Sequence, residues 1–113
     1  MHEISSLIAV MDNEDMVILN KSDIFYFERL DRKTVIHTQN KSYVTNRPLN
    51  YYENKVADVE YFRAHKSVLV NLSKVDRCVP RINYTYDLSF KDKVDKVPLS
   101  RDRAKILMKL LGI

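Results

Sequence analysis

The chain has 113 residues, 45% of them hydrophobic and 30% charged, with one glycine, three prolines and one cysteine. That length suits one domain spanning residues 1–113, able to bury a core without disulfide or metal staples, and a lone Cys78 without a CxxC pair argues against a secreted disulfide framework and for a reduced, cytoplasmic setting. No apolar run approaches the roughly 18 to 20 residues of a membrane span, Met1-His2-Glu3-Ile4 lacks the pattern of a signal peptide, and the net charge of +4 is modest.

In chain order, short apolar or alternating runs recur at Leu7 to Met11, Met16 to Leu19, Ile24 to Leu30, Thr34 to Thr38 and Ser42 to Thr45. They resume at Ser67 to Asn71, Val75 to Val79, Tyr84 to Phe90 and Val94 to Leu99. Polar clusters such as Asp12-Asn13-Glu14-Asp15 and Gln39-Asn40-Lys41 separate them, the pattern of a mostly β, antiparallel domain. Between the two groups, Pro48 through Val59 places Leu49, Tyr52, Val56 and Val59 at helical spacing, which predicts one short helix with Pro48 in its first turn. A C-terminal helical segment is predicted from Ser100 to Leu111, with Ser100 as cap and Ala104, Leu107, Leu110 and Leu111 as its apolar stripe. Arg101 and Arg103 sit in its first turn, where the helix dipole favours acids, so the pair invites an anionic partner. Residues 1–59 hold 7 Lys/Arg against 9 Asp/Glu, a net −2, while residues 60–113 hold 12 against 6, a net +6. A basic half of this kind suits nucleic acid or another anionic partner.

Catalysis and metal binding find little support in the residues. Cys78 with His2, His37 or His65 has no local nucleophile signature, and a lone cysteine among strand residues reads first as a small core hydrophobe. No two of His37, His65 and Cys78 share a metal-ligand spacing. The expectation is a protein that is not an enzyme and has no cofactor. Cationic side chains instead gather at three strand ends: Leu30-Asp31-Arg32-Lys33, Arg63 to Ser67, and Ser100-Arg101-Asp102-Arg103. Loops at strand ends can reach a major groove, where Arg or Lys donates to guanine while Ser, Lys and Arg hold phosphates. A competing mode sets Phe25, Tyr26 and Phe27 with Tyr84 and Tyr86 as a stacking platform for single strands, with Phe25 and Phe27 on one strand face and Tyr84 and Tyr86 on another. A third reading is a module that docks an acidic protein partner or a regulatory domain through its basic half.

Taken in order, "DIFYFE", "TVIHT", "PLNYYENKV", "YFRAHKSVLVNLSKV" and "VPLSRDRAKIL" resemble the LytTR-type DNA-binding domain of bacterial response regulators, over nearly the whole chain from about Leu7. The resemblance implies elongated antiparallel β-sheets with one short helix between them. It also implies loops inserted into successive major grooves of double-stranded promoter DNA at paired direct repeats, with bending of the duplex. Carried over by position, the first contact falls on Arg32 with Lys33 beside it, the second on Lys66 supported by Arg63, His65 and Ser67, and the third on Arg101; the expectation is that Arg32, Lys66 and Arg101 read bases while Lys33, Arg63, His65, Ser67 and Arg103 position phosphates. Lys66 stands where the family often has Arg or Asn. Lysine lacks the planar fork of arginine, which leaves open a single base contact or a phosphate role. Ser100 is assigned to capping, and Asn71 to bracing a strand end. The sequence contains no receiver or sensor domain, so control is expected from a longer protein, from a partner, or from self-association such as a homodimer on DNA.

Overall fold

Runs of β-branched and aromatic residues become ten strands in three antiparallel sheets, described by a computed structural model for residues 4–113. His2 lies outside the described residues. Strands β1 (Leu7–Asp12) and β2 (Asp15–Asn20) form a hairpin whose turn holds Asn13 at φ 58°. β3 (Ile24–Leu30), β4 (Lys33–Thr38), β5 (Ser42–Thr45), β6 (Tyr61–His65) and β7 (Val68–Asn71) make a central sheet in the order β5-β4-β3-β7-β6. β8 (Val75–Pro80), β9 (Tyr86–Phe90) and β10 (Lys96–Leu99) make a third, in the order β10-β9-β8. Helix α1 (Leu49–Lys55) joins β5 to β6, and α2 (Arg101–Leu110) follows β10.

The central sheet is covered on both faces. On one, Ile24, Phe27, Ile36 and Leu69 pack with Ile8 and Val10 of the hairpin and with Leu49, Tyr52 and Val56 around α1. On the other, Phe25, Tyr26, Phe62, Ala64, Val68 and Val70 meet Leu88, Phe90, Val97 and Leu99 of the third sheet and Ala104 and Leu107 of α2. This double burial explains why Val68-Leu69-Val70 is apolar without alternation: Leu69 faces one core and its two neighbours the other. Asn71 closes the strand as expected, its Nδ2 donating to the Ile24 carbonyl at 2.9 Å and its Oδ1 accepting from the Ser73 amide at 3.1 Å.

Several expectations need correction. A bulge at Phe25 lets Ile24 and Tyr26 pair with the consecutive residues Thr38 and His37. The extra residue shifts the side-chain period, so Phe25 and Phe27 enter opposite cores and do not share a face. Tyr84 lies in the turn before β9 at φ 62° and not on the strand, although it and Tyr86 line one pocket with Arg101 and Ala104. Helix α1 stops at Lys55, and residues 56–60 form turns closed by the Val59 amide on the Val56 carbonyl at 3.1 Å. Val56 stays inward while Val59 emerges. Cys78 is exposed on edge strand β8, not in a core. Strand β6 was absent from the predicted elements. Its alternation of Phe62 and Ala64 inward with Tyr61, Arg63 and His65 half-buried is masked by the charged residues. In α2, Ala104 and Leu107 are buried, but Leu110 and Leu111 are exposed.

Candidate nucleic-acid interface

Two of the three cationic clusters are hairpin tips on neighbouring strands. At the β3–β4 tip, Leu30 pairs with Lys33 across a two-residue turn in which Asp31 takes φ 56°, a conformation that aspartate tolerates better than most residues. Arg32 and Lys33 are exposed there. The Arg29 amide donates to the Ser67 carbonyl at 2.8 Å, which extends the β3–β7 pairing and joins this tip to the β6–β7 turn.

The β6–β7 turn, residues 65–67, is clamped from within. Arg63 Nε donates to the His65 carbonyl at 3.1 Å, and a terminal nitrogen donates to the Lys66 carbonyl. Its other terminal nitrogen reaches Asn50 Oδ1 at 3.1 Å and Glu53 Oε1 at 3.0 Å on α1. Arg63 therefore holds the turn's backbone and ties it to the helix. His65 Nδ1 accepts from the Ser67 amide at 3.2 Å and lies 2.9 Å from Ser67 Oγ. An Nδ1 that accepts from an amide assigns the neutral-ring proton to Nε2. Burial first, then the neighbouring cations Lys66 and Arg63, hold the His65 pKa below its ordinary value. Lys66 is exposed at the tip of the turn.

The third cluster joins the same region. The Ser100 amide donates to the Ala64 carbonyl at 3.0 Å, and Ser100 Oγ accepts from the Arg103 amide at 3.4 Å, so Ser100 caps α2 as expected. Arg103 Nε donates to the Arg63 carbonyl at 2.7 Å while its guanidinium sits 4.7 Å from the Phe62 ring centroid. Arg101 is exposed in the first turn.

The structure thus brings all eight predicted residues together along β3, β6, β7 and the start of α2, and separates them by condition. The side chains of Arg32, Lys33, Lys66 and Arg101 have no hydrogen bond or ion pair among the described residues, whereas Arg63, His65, Ser67 and Arg103 also hold internal bonds. Arg29 and Asn50 were missed. Both line a shallow groove with Pro48, Leu49, Arg63 and Lys66, and Arg29 Nε donates to the Asp31 carbonyl at 2.9 Å. Only the pairing of β3 with β7, about forty residues apart, brings Arg29 to the site, and nothing local in the sequence signals it. The strand β3 part of the aromatic platform is overturned, since Phe25, Tyr26 and Phe27 are 3%, 5% and 0% exposed and engaged in ring contacts inside the cores, whereas exposed Tyr84 and half-buried Tyr86 line a pocket with Arg101. A base has no face to stack on at β3.

Residues 14–112 match the family model described as the LytTr DNA-binding domain. The chain belongs to the LytTr DNA-binding domain family. It is 37% identical over 106 residues to the sensory transduction protein LytT of Bacillus cereus, covering 94% of this chain and 43% of that protein. It is 32% identical over 106 residues to the transcriptional regulatory protein YpdB of Escherichia coli K12, covering the same shares. The chain thus spans less than half the length of these curated relatives. A solved LytTr DNA-binding domain from Bacillus cereus superposes with a TM-score of 0.85 over 96% of this chain and 98% of that one, at 24% identity, which establishes the shared fold. LytTr membership makes DNA the expected partner of the domain. Among the described residues no helix is long and apolar enough to cross a membrane, and no group of three or more His, Cys, Asp and Glu is placed to hold a metal.

Proposed function

We propose that this LytTr domain binds double-stranded DNA sequence-specifically as the DNA-reading part of a response-regulator-type transcriptional regulator. The observation that carries the reading is the partition at the three turns. Four uncommitted cations stand on backbones that are tied to one another by the Arg29–Ser67 and Ser100–Ala64 hydrogen bonds. Rigid turns with free cationic tips suit groove readout, because the backbone is ordered before binding. Arg32, Lys66 and Arg101 are the base readers in this proposal, Lys33 and Arg103 contact phosphates, and His65 offers its Nε2–H to a phosphate or a base edge. Arg63 and Ser67 act chiefly by fixing the turn that presents Lys66.

The test is fluorescence anisotropy of the domain on a duplex selected by footprinting and carrying two direct repeats, against a scrambled duplex and the single strand. Specific duplex binding should exceed the scrambled control by about 1,000-fold or more. Equal affinity for both duplexes would defeat sequence readout. Preference for the single strand would defeat groove binding, and absence of binding to any of them would turn the basic half toward a protein partner.

A further inference from the structure

The β1–β2 hairpin is apolar on both faces. Ile8, Val10, Val17 and Leu19 face the core, while Ala9, Met11, Met16 and Ile18 emerge as two cross-strand pairs, Ala9 with Ile18 and Met11 with Met16, beside exposed Val44 of β5. A strand with one face in water ordinarily alternates apolar and polar residues; continuous runs such as Leu7 to Met11 and Met16 to Leu19 belong to strands covered on both sides.

A second uncovered strip lies on α2. Ile106 and Leu110 lie one turn apart on α2 and are exposed, and Ile113 follows just beyond the helix end, also exposed. Ile113 is held there, not loose: Gly112 at φ 85° turns the chain, and the Ile113 amide donates to the Met108 carbonyl at 2.9 Å. The strips differ in charge. At the hairpin tip Lys41 neutralises Asp12 at 2.8 Å, leaving Glu14 and Asp15 exposed without an ion pair among the described residues. On α2, Lys105 and Lys109 are exposed beside the apolar strip, also without an ion pair among the described residues.

The hairpin lies on one face of the central sheet and α2 on the other, so the two strips cannot meet within one chain. We propose that they meet between chains: the outer hairpin face of one copy docks on the Ile106-Leu110-Ile113 strip of a second copy, with Glu14 and Asp15 against Lys105 and Lys109. The contact is heterologous, relating copies head to tail, and uses none of Arg32, Lys33, Lys66 or Arg101. A few side chains on each partner place it among the small, transient interfaces.

Sedimentation equilibrium from about 10 μM to about 1 mM, the range that suits weak interfaces, tests it. The wild type should show an average mass rising with concentration above 13.4 kDa. Ile18→Glu and Leu110→Glu, at positions 59% and 69% exposed, should fold normally and each remain monomeric. An equimolar mixture of the two variants should form a 1:1 dimer and stop there, because one supplies an intact helix strip and the other an intact hairpin. Lys109→Glu should weaken association, and mixing it with Asp15→Lys should restore it. A monomeric wild type throughout the range would overturn the proposal. So would a dimer that Ile18→Glu destroys and Leu110→Glu leaves intact, which would mean hairpin packed on hairpin.

Discussion

Arg101 and His65 show how differently two side chains of one cationic surface are placed. Arg101 stands exposed at the first turn of α2, where the helix dipole opposes its charge, Asp102 is the only acid of that turn, and Arg101 forms no ion pair among the described residues. An acceptor from DNA would relieve that charge. Arg101→Ala should cost about 1 to 3 kcal/mol on the cognate site and flatten preference at one base position; equal losses on cognate and scrambled duplexes, measured by anisotropy, would make it a phosphate contact instead. His65 is shaped by its surroundings, with burial, Lys66 and Arg63 all opposing protonation. Its folded pKa lies below that of the free imidazole, so below about pH 6.5 the unfolded chain binds more protons than the folded one. The stability contributed by neutral His65 is fully present above that pH and is lost as pH falls through the depressed folded value, when protonation of Nδ1 also takes the acceptor from the Ser67 amide. Urea unfolding at about pH 7.5 and about pH 5 should show a smaller acid loss for His65→Gln than for the wild type; identical losses would place the acid sensitivity elsewhere.

Among the elements, the β6–β7 hairpin carries the contrast between holding a turn and using it. Arg63 makes four hydrogen bonds, two to carbonyls of the turn and two to side chains of α1. Arg63→Ala leaves those acceptors without a donor in a half-buried setting, and should lower unfolding free energy by about 1 to 3 kcal/mol while also weakening DNA binding. Lys66→Ala, at an exposed tip, should leave stability within about 0.5 kcal/mol and weaken binding alone. Urea titration together with anisotropy separates the two, and a stability-neutral Arg63→Ala that still lost binding would restore Arg63 as a direct contact. The same hairpin marks the limit of what the sequence discloses. Charge placement locates the turn, because cationic residues at a strand end need no tertiary information to be noticed. The inward job of Arg63 depends on Asn50 and Glu53 of α1, which only the folded chain brings near. Strand β6 escapes pattern reading because Arg63 and His65 occupy its second face, and the Phe25 bulge escapes it because an extra residue in a wholly apolar run leaves no break in the pattern. Helix α2, by contrast, is legible nearly to the residue: Ser100 caps it, and its apolar spacing and the glycine after it are local signals.

Over the whole molecule the uneven charge becomes a geometric property. The basic second half supplies two of the three turns, and the first half contributes only the Arg32-Lys33 tip. The Arg29–Ser67 bond draws that tip to the rest across the central sheet. DNA binding by such a surface is driven largely by release of counterions condensed on the phosphates, each neutralised phosphate adding about −0.9 to the slope of log K against log salt. If Lys33, Arg103 and the neutral His65, through its Nε2–H, meet phosphates while Arg32, Lys66 and Arg101 enter the groove, whose wall is also phosphate, the slope should lie between about −2 and about −5. Lys33→Ala should make it shallower by about 0.9, with the loss of affinity uniform across sequences, because a phosphate contact carries no base information. Arg101→Ala should instead change the ratio of specific to scrambled binding. Anisotropy titrations between about 50 and about 200 mM salt distinguish these outcomes: a slope near zero would remove phosphate neutralisation as the driving force, and a Lys33→Ala variant that lost selectivity rather than slope would move Lys33 from the backbone into the groove.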